Sequence, residues 1–179
     1  MNLAPGTLLL AAPKITDAHF EESAILLCVH DENGSLGLVL NRDLELDMTA
    51  MLGDNSPAEA PPLSWGGPVA IEQVLSLHAG PTNLPDSTPV LPGICLGGGL
   101  DDLLELHKNN VAVRLFLGYS GWDPGQLEQE IAAGAWLLTT TSMETVFREP
   151  AATLWARTVA EIEPSLSWLR NHPQDPHLN

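Results

Sequence analysis

Positive charge is what this sequence has least of. Seven Lys and Arg stand against 23 Asp and Glu, a formal net charge of -16 over 179 residues. The basic residues are Lys14, Arg42, Lys108, Arg114, Arg148, Arg157 and Arg170, and no two are adjacent. Nucleic-acid affinity rests on clustered Lys and Arg releasing counterions from phosphates, so direct nucleic-acid binding is not expected of this chain. Control through DNA would need an oligomer that gathers these residues into a stripe. Anionic membrane surfaces are disfavoured for the same reason.

Long apolar runs are missing too. None approaches the roughly 20 uncharged residues that span a bilayer. Met1–Gly6 has neither the basic start nor the apolar stretch of a secretory signal, which predicts a cytoplasmic protein. Cysteine is scarce: Cys28 and Cys95 each sit inside an apolar run, with no CxxC spacing, and read as buried reduced thiols. The six histidines show no HExxH or similar ligand spacing, so no metal or cofactor is expected. His30 and His78 end apolar runs and read as partly buried, hydrogen-bonded rings. Aromatics are only 5% of the chain, which leaves the core to Leu, Val, Ile and Ala. Five of the aromatics are Trp, and Trp65 and Trp122 lie beside glycine-rich segments.

What is present organises as one domain, since 179 residues suit a single core. Thr7–Ala11 reads as a strand. Ser23–His30 and Ser35–Asn41 read as a hairpin joined by the turn Asp31-Glu-Asn-Gly34. Asp47 can cap a short helix that Gly53 stops, and residues 54–62 are a loop by composition. Leu63–Val69 contains a tight glycine turn, Val74–Ala79 a strand, Gly80–Pro89 a loose segment and Val90–Leu96 a strand. Gly97-Gly-Gly99 breaks that strand before a helix over Asp101–Lys108. A phosphate loop is excluded there, because Asp101 and Asp102 occupy the helix start where an anion would sit. Val111–Leu117 is strand-like, Trp136–Thr141 β-prone, and Met143–Arg148 and Pro150–Ile162 helical. Asn171–Asn179 reads as a disordered tail. Hairpins mixed with single helices, without regular βαβ alternation, predict an α+β domain over residues 1–163 followed by an extension over 164–179, partly disordered.

The densest motif is Gly118-Tyr-Ser-Gly-Trp-Asp-Pro-Gly-Gln-Leu-Glu128. Asp123 suits a helix N-cap, Pro124 the first helical position and Gln126 the third, as in a capping box. Gly134 suits the position just past the helix end. Leu127 and Ile131 share one stripe, Gln126 and Glu130 its edge. Ser120 does not complete a nucleophile elbow, because Trp122 stands where the G-x-S-x-G pattern needs its second glycine.

Together with Gly6-Thr-Leu-Leu-Leu-Ala-Ala-Pro13, His19-Phe-Glu-Glu-Ser-Ala24, Gly37-Leu-Val-Leu-Asn-Arg42, Trp65-Gly-Gly-Pro-Val69, Leu75-Ser-Leu-His78 and Trp136-Leu, this motif resembles the YqgE/AlgH family from residue 5 to about 162. The resemblance implies a bent, barrel-like, mostly antiparallel sheet flanked by helices. It carries the label of a regulator of alginate biosynthesis and a transcriptional-regulator description, but no enzymatic activity and no DNA-recognition motif. One departure is Asp43, where the family pattern Asn-Arg-Pro has proline.

Three segments are expected to converge on one cleft. They are Asn41 and Arg42; Trp65, Gly66, Gly67 and Pro68; and Tyr119, Ser120, Trp122, Gln126, Glu128 and Glu130. One reading is a non-enzymatic binding or regulatory protein with a small-molecule or protein partner. The other is a small-molecule enzyme with Glu128 or Glu130 as base and Arg42 or Arg114 as anion clamp. The glycine corner can equally be a turn built for folding.

Overall fold

Leu8, Leu9 and Leu10 are each fully buried, so the strand that carries them is covered on both faces. The computed structural model describes residues 3–44, 60–80 and 84–171, apart from the side chains of residues 170 and 171. The short helix expected after Asp47, most of the loop over 54–62 and the tail beyond residue 171 lie outside these residues.

Among the described residues nine strands form one curled half-barrel sheet: β1 (Thr7–Ala11), β2 (Ala24–Asp31), β3 (Gly34–Val39), β4 (Leu63–Trp65), β5 (Val69–Ala79), β6 (Ser87–Leu91), β7 (Ile94–Gly97), β8 (Val113–Trp122) and β9 (Trp136–Thr140). Their order is β6-β7-β5-β8-β3-β2-β1-β9, and β4 adds to β8 as the parallel pair of an otherwise antiparallel sheet. The helices among the described residues are α1 (Leu100–Lys108), α2 (Gln126–Ala132), α3 (Met143–Phe147) and α4 (Ala151–Ile162), followed by a 3-10 helix over Pro164–Asn171. The fold is α+β, as the mixed pattern predicts.

Each helix covers a defined part of the sheet. Val146 of α3 and Leu154, Trp155 and Val159 of α4 join Leu8, Leu10, Leu26, Leu38 and Phe116 in the largest core cluster. Trp155 adds an indole N–H donated to the Ala11 carbonyl at 2.9 Å. Leu169 of the 3-10 helix is buried in the same cluster. On the opposite face Leu127 of α2 packs with Leu9, Ile25, Val39, Trp122 and Trp136. Leu103 of α1 packs with Leu63, Val113 and Leu115 in a third cluster. The double covering explains why β1 and β2 read as unbroken apolar runs rather than alternating ones.

Two strand expectations are corrected. The run read as one strand over Val90–Leu96 is the hairpin β6–β7, turned at Pro92-Gly93, where Gly93 has φ 83°. The strand read as ending at Leu117 continues to Trp122, through the glycines expected to form a corner. Gly118 takes φ 65° and lets the strand carry on past a crowded point.

Both cysteines are free and buried, and burial raises both thiols above their ordinary range, Cys28 far above. For such a group the fold stabilises the neutral form. That stabilisation is complete below the thiol's unfolded pKa and is lost as pH rises through it towards the folded value. Neither thiol should react with a water-soluble disulfide reagent in the native protein at pH 8, and both should react at once in denaturant. Fast native labelling of Cys28 would contradict its burial.

Candidate functional site

The three expected segments do meet. Trp65 N donates to the Arg42 carbonyl at 2.7 Å, Gly66 N to the Leu117 carbonyl at 2.8 Å, and Val39 N to the Gly66 carbonyl at 3.0 Å. Ser120 Oγ donates to the Gly66 carbonyl at 3.3 Å. A Cβ on Gly67 would run into the Tyr119–Ser120 peptide, and one on Gly118 would lie 2.5 Å from the Gly67 oxygen. Gly66, Gly67 and Ser120 are buried, so this junction is a solid strand crossing. The glycines are needed because two backbones touch there.

Most of the polar residues singled out in the sequence are held by their own fold. Asn41 accepts from Ala24 N and donates to the Glu22 carbonyl, both at 2.8 Å. Arg42 donates to the carbonyls of Ala18 at 3.3 Å and Glu21 at 3.1 Å. Its guanidinium lies 5.1 Å from the Trp65 ring, on which His19 also stacks. Burial pulls the Arg42 pKa below the usual guanidinium range, and the nearby charges of Glu21 and Asp17 oppose this.

Arg114 is buried and makes four hydrogen bonds: to the carbonyls of Val146 (2.8 Å) and Leu40 (2.9 Å), to Asp43 Oδ1 (3.0 Å) and to Ser64 Oγ (2.7 Å). Desolvation lowers its pKa, and the charge of Asp43 raises it back in part. Its carboxylate partner is therefore Asp43. Asp43 is the position where the family pattern has proline, and Ser64 Oγ donates to the same carboxylate oxygen at 2.8 Å.

Helix α2 starts later than its sequence suggests. Asp123–Gly125 form a turn, Gly125 is the N-cap at φ 77°, and Gln126 is the first helical residue. Gln126 still reaches back as expected, its Oε1 accepting from Asp123 N at 3.0 Å. Gly134 closes the helix at φ 72°, with Gly134 N donating to the Ile131 carbonyl and Ala135 N to the Glu130 carbonyl, the paired bonds of a Schellman motif. Glu130 is an anchor. Its Oε2 accepts the indole N–H of Trp122 at 2.9 Å and of Trp136 at 2.8 Å, while Oε1 accepts from Gln126 at 2.8 Å.

Beside this corner lies an open groove of about 500 Å³ at one end of the half-barrel. Of the expected cleft residues, Tyr119, Trp122 and Gln126 line it; Asn41, Arg42, Trp65, Gly66, Gly67, Pro68, Ser120, Glu128 and Glu130 do not. Val29, Leu36 and Val69 supply further apolar lining, and Asp31, Asn33 and Asp123 polar lining. Gly121 keeps the floor flat under Tyr119, since a Cβ there would lie 3.2 Å from the tyrosine ring.

Sequence reasoning missed Ser35, which also lines the groove, and read His30 only as a packed ring. His30 and Ser35 are directly opposed in the β2–β3 hairpin, with Nδ1 and Oγ 2.8 Å apart. His30 Nε2 lies 3.7 Å from Glu128 Oε1 on α2. The signal that could have found this pair is the Asp31–Gly34 turn, because its length sets which residues face each other across the hairpin.

Among the described residues no helix is long and apolar enough to cross a membrane, and no cluster of His, Cys, Asp and Glu has the makings of a metal site.

Comparison with known proteins places this geometry in a family. The AlgH-like model DUF179 matches residues 8–167. A UPF0301 protein of Chlorobium limicola is 34% identical over 182 residues, covering 99% of this chain and 97% of that protein. One from Myxococcus xanthus is 41% identical over 164 residues, covering 88% and 90%. The crystal structure of a Corynebacterium diphtheriae protein superposes with a TM-score of 0.79 at 23% identity, over 95% of this chain and 93% of that one. The solution structure of AlgH from Pseudomonas aeruginosa gives 0.73 at 25% identity, over 98% and 100%. With the sequence match running through the half-barrel and the Gly118–Glu128 segment alike, this chain belongs to the AlgH-like family.

Proposed function

We propose that this protein is a binding protein whose ligand is a small, mainly apolar molecule, neutral or cationic, held in the groove beside Tyr119. The observation that carries this reading is the groove itself. Tyr119 and Leu36 are only half-buried and Val69 is 37% exposed, so apolar surface in this groove stays in reach of solvent. Asp31 and Asp123 line the same groove, and with a net charge of -16 they favour a cation or a neutral molecule over an anion. A regulatory role, on this reading, works through ligand occupancy or a protein partner rather than through contact with DNA.

Three of the four clamp-and-base groups are engaged within the fold. Arg42 and Arg114 donate to the protein's own carbonyls, and Glu130 holds two indoles in place. Glu128 is an exposed carboxylate beside His30.

A thermal-shift screen of apolar metabolites and amines tests the reading. A ligand at about 100 times its Kd stabilises the native state by about 2.7 kcal/mol. For a domain of this size that is a rise in Tm of roughly 5–10 °C. Val69→Asp, which places a charge in the apolar lining, should abolish the rise while leaving the unliganded Tm nearly unchanged. A panel with no stabilising compound, or a shift indifferent to Val69→Asp, would remove the groove as the site.

A further inference from the structure

We infer that the groove takes an amphiphilic monoamine, with its ammonium between Asp31 and Asp123 and its hydrocarbon tail running along the sheet towards Tyr119; this rests on the groove being the binding site. Strand register sets the layout. Residues paired directly across two strands share a sheet face, and so do residues two apart on one strand. Asp31 pairs with Gly34, Val29 with Leu36, Leu36 with Gly121, and Val69 with Tyr119. Val29 and Asp31 are two apart on β2, Gly34 and Leu36 on β3, and Tyr119 and Gly121 on β8, so all of them face the same way. Contacts at Gly121 agree. A Cβ there would lie 3.2 Å from the Tyr119 ring and 3.7 Å from Val69 Cγ2, which places both side chains over that glycine.

The result is a floor in three rows. Asp31 and Gly34 form the rim, and Asp123 lines the groove just past the end of β8. Gly34 keeps the rim open between them, since a Cβ there would run into the Trp122 carbonyl oxygen and lie 3.5 Å from the Asp123 carbonyl carbon. Val29, Leu36 and Gly121 make the second row, Tyr119 and Val69 the third. Successive rows are about 7 Å apart, so apolar floor extends roughly 14 Å inward from the rim.

Charge decides the head group. Asp31 and Asp123 are exposed, and neither has an ion-pair partner among the described residues. Asp31 Oδ1 accepts from Asn33 N at 2.7 Å, which holds the side chain at the turn and leaves its charge uncompensated. No Lys or Arg lines the groove. An ammonium is attracted by both carboxylates, an anion is repelled, and a neutral head gains from neither charge. The carboxylates stand at one end only, so a single cation with an apolar tail fits. A diamine would lay its second charge on Leu36 and Tyr119. Exposed ion pairs contribute little each, so the head group should add about tenfold in Kd and the tail most of the affinity.

The test is calorimetric titration of the full chain with octylammonium, 1-octanol, octanoate and ethylammonium at neutral pH. Octylammonium should bind about tenfold more tightly than 1-octanol, and octanoate more weakly than either. Ethylammonium, which lacks the tail, should bind at least about tenfold more weakly than octylammonium. Asp31→Asn combined with Asp123→Asn should erase the amine's advantage and leave 1-octanol binding as it was; an amide oxygen at position 31 can still accept from Asn33 N, so the turn is kept. The advantage should also shrink as the screening length falls from about 30 Å at about 0.01 M salt to about 3 Å at about 1 M. Glu105→Gln combined with Glu161→Gln removes the same charge outside the groove and should leave the preference intact. An equal fall in that control, or equal binding of octylammonium and 1-octanol to the wild type, would overturn the head-group assignment. In either case, 1-octanol binding that Val69→Asp blocks keeps the groove as the site. If none of the compounds binds, or Val69→Asp leaves their binding unchanged, the groove and its amine fall together.

Discussion

Replacing Arg114 with alanine should cost about 3–5 kcal/mol of stability, the loss expected when one partner of a buried charged network is removed. In a domain of this size that lowers Tm by roughly 10 °C. Arg114 is 7% exposed, and its guanidinium holds two carbonyls, a hydroxyl and a carboxylate from three separate parts of the chain. Its truncation leaves the carbonyls of Leu40 and Val146 without this donor in a space that water enters poorly. Arg114→Lys keeps the charge but cannot divide its donors among acceptors set out for a planar fork, so it should recover only part of the loss. Asp43→Ala should be milder than Arg114→Ala, because the Asp43 side chain is 57% exposed and Arg114 keeps three of its acceptors. Thermal and urea denaturation of the three variants checks the order. A loss below about 1 kcal/mol for Arg114→Ala would mean that the network is solvated and peripheral.

Glu130→Ala should be the second most damaging change, at about 2–5 kcal/mol, since it strands two buried indole N–H groups at about 1–3 kcal/mol each. Trp122 is 6% and Trp136 5% exposed, and their rings meet edge to face with centroids 5.9 Å apart. The near-ultraviolet circular dichroism from this pair should weaken in Glu130→Ala, and tryptophan emission should shift to the red. Glu130→Gln retains a carbonyl oxygen where both indoles donate and loses only the charge-assisted part of those bonds, so it should cost about 1 kcal/mol. Equal losses in the two variants would show that the carboxylate's charge, rather than its acceptor oxygen, holds the corner. Neither variant should abolish ligand stabilisation, because Glu130 does not line the groove.

These expectations bear on how the Gly118–Glu128 segment works. Its Gly118 is required by backbone contact with Gly66 and Gly67, and Glu130, two residues past its end, is held by two tryptophans. Much of it is therefore a folding device. The part open to a ligand is narrower than the segment: Tyr119, Gly121, Trp122, Asp123 and Gln126, joined by hairpin residues that the motif does not contain.

Local chemistry was readable in the chain order wherever one element contained its own signal. The β2–β3 hairpin follows from its turn residues, the stripe of α2 from Leu127 and Ile131, and the end of that helix from Gly134. The β6–β7 hairpin was missed because Pro92-Gly93 lies inside a run whose apolar residues on either side read as continuous.

Charge balance, the mixed α+β class, the helix stripes and the family are determined by residue order alone, because composition, periodicity and motif spacing need no knowledge of what lies across the fold. Which carboxylate meets Arg114, which groups are consumed in anchoring the corner, and which apolar residues stay uncovered were decided only by tertiary structure. Asp43 and Arg114, or Glu128 and His30, are far apart in the chain and a few ångströms apart in space. Their pairing depends on strand order, and the order of strands in a curled sheet is set by packing both of its faces at once.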